Sequence, residues 1–375
     1  MDTQQYDIIL IGASPVMCLH AASLARHHKV LLVDRRDSVG GVWQSGDFDG
    51  HTFSCMVPHI LEPHPGLYDF LESHLGLEME DVLEESCVAF TEDLFGQKLH
   101  PYSCYYLHRV SSPALFEQVK QATQQGMTYQ TFVDHVNTNN PMLAPHYRPT
   151  DNSAIGVKFM KGGTSTFRQA LTDKLAQSGC DVLLEKNVDN LKILPDSVTL
   201  ELDDGNSISA KQVYLAQHCI PDKVTIGHLQ PFEFIKTTQH HNSTLQLKVR
   251  ASFCHRFFYA YFPISTSIYI VSRMDFYVEE VEPGIIYLAI TLKGHASHLA
   301  PEFLDSLVQQ LVTVGLMSED AQIVTHQYVE EIRSRIGMDD MVNLGLVSDG
   351  KVRVIDMTLT GGLGRAIYDN MISFL

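Results

Sequence analysis

A chain of 375 residues is too long for one simple core and long enough for two lobes, and a hydrophobic fraction of 45% against 19% charged residues excludes a disordered chain. The formal net charge of -17 comes without any dense basic run, which argues against nucleic acid as a partner, because phosphates need a positive surface. Seven cysteines, an odd count with no C-x-x-C pair, suit free thiols in a reducing cytoplasm.

The polar start "MDTQQ" has neither a basic n-region nor a long apolar run, so neither a signal peptide nor a membrane span is expected. Tyr6 to Ile11 then reads as a buried strand, Val16 to His28 as an alanine-rich helix, and Lys29 to Asp34 as a second buried strand. This is a βαβ unit of about thirty residues, the layout of a dinucleotide-binding turn. In such a G-x-G-x-x-G turn the first glycine makes the bend, the second admits the phosphate, and the third lets helix and strand pack. Gly12 meets the first need, whereas Ser14 and Met17 stand at the second and third positions. Ser14 is a mild replacement, since its hydroxyl can donate to a phosphate. Met17 is expected to push the helix outward or to turn aside. Asp34 stands about twenty positions on, where an acidic residue binds ribose hydroxyls, and Arg35 and Arg36 follow as phosphate partners or solvated arginines.

From His51 to about His146 the chain becomes rich in Pro, His, Tyr and Phe and lacks regular periodicity, as expected of a mixed lobe with aromatic-lined loops. Regular structure resumes with "GGTSTFRQALTDKLAQSG", a helix with Phe167, Leu171 and Leu175 on one face and Gly179 as its C-cap. "DVLLE" follows as a strand, "SVTLELDDGNSISA" as a hairpin with an Asp-Gly turn, and "KQVYLAQ" as another buried strand. A long antiparallel region comes next, then a helix, "PEFLDSLVQQLVTVG", and finally a strand, glycine turn and helix in "DGKVRVIDMTLTGGLGRAIYDNM". Adjacent histidines at His27-His28 and His240-His241 diverge on a helix or strand, so no metal site is expected.

Four blocks resemble one family. "LLVDRRDSVGGVWQSG" resembles the acidic strand end and Gly-Gly turn of FAD-binding two-dinucleotide-domain proteins; the resemblance implies that Gly40 and Gly41 let the backbone approach the flavin phosphates. "KFMKGGTSTFRQALTDKLAQSGCDVLLEKNVDNLKI" resembles a block of the amine oxidase, protoporphyrinogen oxidase and UDP-galactopyranose mutase superfamily, in which Val188 would hydrogen-bond the adenine through its backbone. "VYLAQHCIP" is similar to that family's buried strand. "VRVIDMTLTGGLGRAIYDNM" resembles the terminal flavin segment, with Asp356 on the ribitol and the turn through Gly361, Gly362, Leu363 and Gly364 placing a helix start at the isoalloxazine. Departures are the two missing glycines and an Asp at position 34, where these flavoproteins more often carry Glu. Trp43 in "GGVW" is also similar to the GGxW of flavin-containing monooxygenases, but the second nucleotide fingerprint those enzymes carry is not visible here.

The resemblance implies an α/β protein with a discontinuous Rossmann-type FAD-binding lobe (1-65, 155-222 and 340-375) and an inserted mixed α+β substrate lobe (66-154 and 223-339). It implies FAD as cofactor and oxidation of a small organic substrate, by amine oxidation or desaturation. His59 and His64 in "VPHILEPHPG" are the candidate catalytic residues, on a segment running from the flavin lobe toward the substrate pocket. Aromatic clusters around Tyr102 to Arg109 and Cys254 to Phe262 read first as half-buried core and second as pocket lining. The alternatives are a nucleotide-sugar mutase-like isomerase and a catalytically silent scaffold or assembly partner; besides the small-molecule substrate, the sequence leaves room for a protein partner or homo-oligomer.

Overall fold

Apolar runs flanked by glycine and proline form the centre of the molecule. Its computed structural model describes residues 5–41, 43–54, 60–61, 67–83, 87–89, 125, 154–216, 218–219, 221–233, 237–255, 257–262, 267–275, 281–292, 300–335, 343–346 and 348–355. β1 (Gln5–Ile11) is continuously apolar from Ile8 onward and β2 (Val30–Val33) throughout, because there each is covered on both faces, as expected of parallel strands inside a sheet. Between them α1 (Pro15–Leu24) starts with Ser14 as N-cap and Pro15, whose fixed φ suits the first helical position. The helix ends earlier than the expected His28: beyond Leu24 the chain tightens, and the His27 and His28 N–H groups both donate to the Leu24 carbonyl.

β3 (Ser45–Phe48) and β4 (His51–Ser54) form a hairpin, followed by β5 (Ile60–Leu61), α2 (Leu67–Leu75), β6 (Met79–Leu83), β7 (Cys87–Ala89) and β8 (Ala154–Met160). α3 (Gly163–Ser178) buries Phe167, Leu171 and Leu175 beside α1, and Gly179 closes it at φ 76°, a left-handed cap that glycine adopts without strain. Then come β9 (Asp181–Leu183), β10 (Val188–Ile193), β11 (Val198–Leu202), β12 (Ser207–Ala216), β13 (Lys223–Ile226) and β14 (Phe232–Glu233). β15 (Thr237–Arg250), β16 (Tyr259–Tyr261), β17 (Ile268–Arg273), β18 (Ile285–Leu292), α4 (Pro301–Thr313), β19 (Gln322–Arg335) and β20 (Val352–Ile355) complete the order.

The first sheet has the order β14-β13-β10-β11-β12-β1-β2-β9, with β20 also on β12. The hairpin arm and the "KQVYLAQ" strand, read separately in the sequence, are one strand, β12. Its first half pairs antiparallel with β11 and its second half parallel with β20 on the same edge, while β1 runs parallel along the other. The second sheet has the order β19-β15-β18-β17-β16-β7, and α4 packs Leu304, Leu307, Val308 and Leu311 against Leu245, Leu247 and Val249 on one face. A small sheet, β5-β8-β6, stands apart.

The opposite face of the second sheet meets the β3–β4 hairpin. Asp49 and Gly50 at its tip have φ of 53° and 80°, the pair of positive values that a type I′ turn requires. Phe48 and Phe53 pack on Tyr287, Ile285 and Met274. Asp49 Oδ2 accepts the Tyr287 O–H at 2.7 Å and pairs with Lys248 Nζ at 2.6 Å. Lys248 and Tyr287 lie directly opposite each other on β15 and β18, so one carboxylate closes across two strands. The Lys248 ammonium, then the Tyr287 hydroxyl, hold the Asp49 carboxyl below its usual range. Among the described residues, no helix is long and apolar enough to cross a membrane, and no cluster of side chains could hold a metal ion.

Lys248→Met should cost about 1 kcal/mol in urea unfolding, the scale of a partly exposed ion pair. Combined with Tyr287→Phe, the loss should be smaller than the sum of the two single losses, since both act through Asp49. Strict additivity would contradict a shared clasp.

Candidate functional site

The connection from β1 runs through α1 to β2 on one side, while β12 lies on the other. A crevice therefore opens at the carboxyl ends of β1 and β12, where open parallel sheets take their ligands. Gly12 forms its floor. At φ 103° it sits in a conformation that L side chains rarely adopt, and a Cβ there would lie 2.7 Å from Cys219 Sγ and 2.9 Å from Ala216 Cβ. Only glycine lets the turn pass this close to the end of β12.

Both peptide groups of Ala13 are tied. Its N–H donates to Asp34 Oδ2 at 2.6 Å, and its carbonyl accepts the Gly40 N–H at 2.7 Å. Asp34 Oδ1 accepts the Arg36 N–H at 2.9 Å, so the buried carboxylate staples the end of β2 to the turn. Gly41, at φ 60°, places its Cα so near that a Cβ would be 3.0 Å from Ser14 Cα. The Gly-Gly pair is thus required for a loop that crosses directly against the start of α1. The Arg36 guanidinium and Gln44 Nε2 both donate to the Gly41 carbonyl, and Arg168 Nε donates to the Val39 carbonyl at 3.1 Å. Trp43 is buried against Phe167 on α3, ring centroids 4.9 Å apart.

Ser14 Oγ accepts the Met17 N–H at 3.4 Å, which leaves the hydroxyl proton to donate outward. Pro15 contributes no N–H, so Val16 supplies the next unpaired backbone donor of the first turn. That turn carries no acidic residue, and the helix dipole there favours negative charge. Two donors at a helix start with a carboxylate one strand away suit a pyrophosphate beside a ribose, so the residues present fit a dinucleotide.

Gly12, Ser14, Asp34, Gly40 and Gly41 therefore meet in one place. Arg35 is exposed, within electrostatic reach of Cys219 at the same crevice. Val188 is buried at the start of β10, beside an irregularity in its pairing with β11. The preceding residues run along the crevice wall: Glu185 N–H donates to the Arg36 carbonyl at 2.8 Å and Lys186 N–H to the Asp34 carbonyl at 3.1 Å. His59, His64, Asp356, Gly361, Gly362, Leu363 and Gly364 lie outside the described residues.

Met17 is wholly buried, in the apolar cluster that α1 shares with α3. Two residues escaped the sequence reading. Cys219, three residues past β12, packs on Gly12; burial, and then the Asp34 carboxylate, push its thiol up to about 12. His20 stacks on Tyr214 at 5.1 Å, and Arg353 lies over the same ring. Burial, and then the Arg353 charge, lower its imidazole to about 4. No motif announces either residue, because each is placed by strands far away in the chain.

A family model described as an NAD(P)-binding Rossmann-like domain matches residues 11–73. No curated protein matches the chain by sequence. Solved structures match it over nearly its whole length. A putrescine oxidase bound to putrescine covers 99% of this chain and 98% of its own, with a TM-score of 0.61 at 13% identity. A protein of Exiguobacterium sp. 255-15, provisionally assigned as a protoporphyrinogen oxidase, covers 100% and 98% with a TM-score of 0.64 at 14% identity. Cyclohexylamine oxidase of Brevibacterium oxydans IH-35A covers 98% of each chain with a TM-score of 0.60 at 14% identity. The chain has the fold of these oxidases.

Met17→Gly should destabilise the protein by about 3 kcal/mol or more in urea unfolding, since it empties a core position and adds glycine to a helix. An unchanged or raised stability would mean that the methionine strains the turn. His20 is neutral in the folded chain but gains a proton on unfolding below its ordinary value of 6.5, so stability should fall as pH drops from there toward 4. His20→Leu should flatten that part of a melting-temperature profile, and an identical slope would count against it.

Proposed function

We propose that this chain, built on the fold of the amine and protoporphyrinogen oxidases it matches, is an FAD-dependent oxidoreductase for a small organic substrate, by amine oxidation or desaturation. The observation that carries this reading is the stapled turn at the crevice: Gly12, Ser14 and Asp34 held in register by Gly40 and Gly41. FAD, when bound, supplies a two-electron acceptor. The Ser14 hydroxyl and the Val16 N–H would hold the pyrophosphate, and Asp34 would take the ribose hydroxyls on lone pairs that its backbone contacts leave over. The Val188 backbone would receive the adenine, and Arg35 would balance phosphate charge from the rim. Asp356 is assigned to the flavin's ribitol, Gly362, Leu363 and Gly364 to its isoalloxazine, and His59 and His64 to proton handling beside it.

A second reading, a catalytically silent scaffold, draws its support from Pro15, which removes one phosphate donor from the helix start.

Absorbance of the purified protein at flavin wavelengths, before and after titration with FAD, separates the two. We expect a bound or saturable flavin, with Asp34→Ala weakening its affinity at least tenfold. No flavin spectrum and no saturation would remove the enzyme reading and leave the scaffold. If flavin binds, its bleaching by primary amines under anaerobic conditions tests the substrate class.

A further inference from the structure

A second concavity lies away from the crevice. It is a cleft of about 810 Å³, within the range of ligand sites, between α3, the loop at Asp37 to Val39, the β3–β4 hairpin and β9. Ala176, Val182 and Leu184 give it apolar surface, and Asp37 and Asp47 line it with carboxylates. The two carboxylates each accept only a neutral hydroxyl, from Ser38 and Thr52 respectively, and neither pairs with a cation among the described residues. Arg168 is the single basic side chain in the lining, and its Nε is committed to the Val39 carbonyl.

β9 is the last strand of the nine-stranded sheet, and among the described residues no strand pairs with its outer edge. It pairs parallel with β2, and the Leu183 carbonyl accepts the Asp34 N–H at 3.0 Å. Backbone groups alternate along a strand, so the N–H and C=O of Val182 and of Leu184 point the other way, toward the open edge. Both residues line the cleft, and Val182 is 40% exposed. An open edge offers backbone pairing to an extended chain, and the side-chain surroundings set which chain is accepted.

We propose that the edge of β9 and the cleft beside it form a docking site for an extended, basic segment of a partner protein, bound by strand addition. Main-chain hydrogen bonds to Val182 and Leu184 supply register. Alternate side chains of the segment fall on opposite faces of the extended sheet, the basic ones entering the cleft toward Asp37 and Asp47 and the apolar ones lying beside Leu183 on the other face. An acidic or proline-broken segment is rejected, the first by the carboxylates of Asp37 and Asp47 and the second because it cannot complete the ladder. The same loop carries the cleft on one side and the Gly40–Gly41 crossing on the other, so a docked segment rests against the support of the phosphate turn.

The probe is a fluorescein-labelled heptapeptide of alternating Lys and Val, titrated with the full chain and read by anisotropy. We expect saturable binding at least tenfold tighter than for the matching Glu and Val peptide. Asp37→Asn combined with Asp47→Asn should weaken it at least tenfold. Val182→Pro removes an outward N–H without touching the ladder to β2, and should also weaken it at least tenfold. Should that variant not fold, a Lys and Val peptide with N-methylated valines makes the same test on the unaltered chain, with the same loss expected. Absence of saturation, or equal affinity for the Glu peptide, overturns the proposal. Full affinity for Val182→Pro or for the N-methylated peptide also overturns it, since the acidic surface alone would then be attracting the lysines.

Discussion

The Ala13 peptide is the joint on which the first lobe turns. Its N–H is fixed by a carboxylate at the end of β2 and its carbonyl by the N–H of Gly40, so strand, turn and returning loop are held by two short bonds at a single residue. Each bond alone contributes modestly, but a buried donor or acceptor left unmade costs more than a made one gains. That asymmetry forces what surrounds it. Gly40 and Gly41 must lack side chains for the loop to come close, Asp34 must be short enough to reach back to the turn, and Gly12 must yield space to Cys219. Shifting any of these would leave Ala13 unpaired in the interior.

The clasp at Asp49 works differently. It relies on a surface-facing ion pair and a phenol, with Lys248 still 19% and Asp49 28% exposed, so its strength lies in geometry and in the aromatic packing beneath it. Phe48, Phe53 and Tyr287 supply the apolar area, and the carboxylate fixes where that area sits. The hairpin leaves the glycine turn by way of Trp43 and packs on the second sheet, so it ties the two together.

The sequence carried the local part of this architecture well. β1, α1 and β2, the helix with Phe167, Leu171 and Leu175, and the Asp-Gly hairpin follow from periodicity and turn chemistry acting over a few residues. Asp34 was found by spacing, but spacing assigned it only to a ribose; its two backbone bonds become visible once β2 is laid beside the turn. The strand β12 was read as two because a strand that changes partner halfway has no signal of its own in the residues. Cys219, His20 and the Lys248–Tyr287 pair were not legible, because each acquires its meaning from a strand more than a hundred residues away. Met17, expected to push the helix outward or to turn aside, is buried in the cluster that α1 shares with α3, a placement that no local pattern specifies.

β12 is laid down late, and that sets conditions on how the chain is made. Asp7 and Lys211, joined across β1 and β12, are 204 residues apart, and β12 itself is completed only by β20 near the end of the chain. At the pace of ribosomal synthesis, roughly 5–20 residues per second, β1 waits about 10 to 40 s for its partner. During that interval an apolar strand with one open edge hangs outside the ribosome, able to pair with any other nascent chain. Shielding of residues 5–11 while the rest emerges is therefore a condition on yield that the finished structure no longer displays.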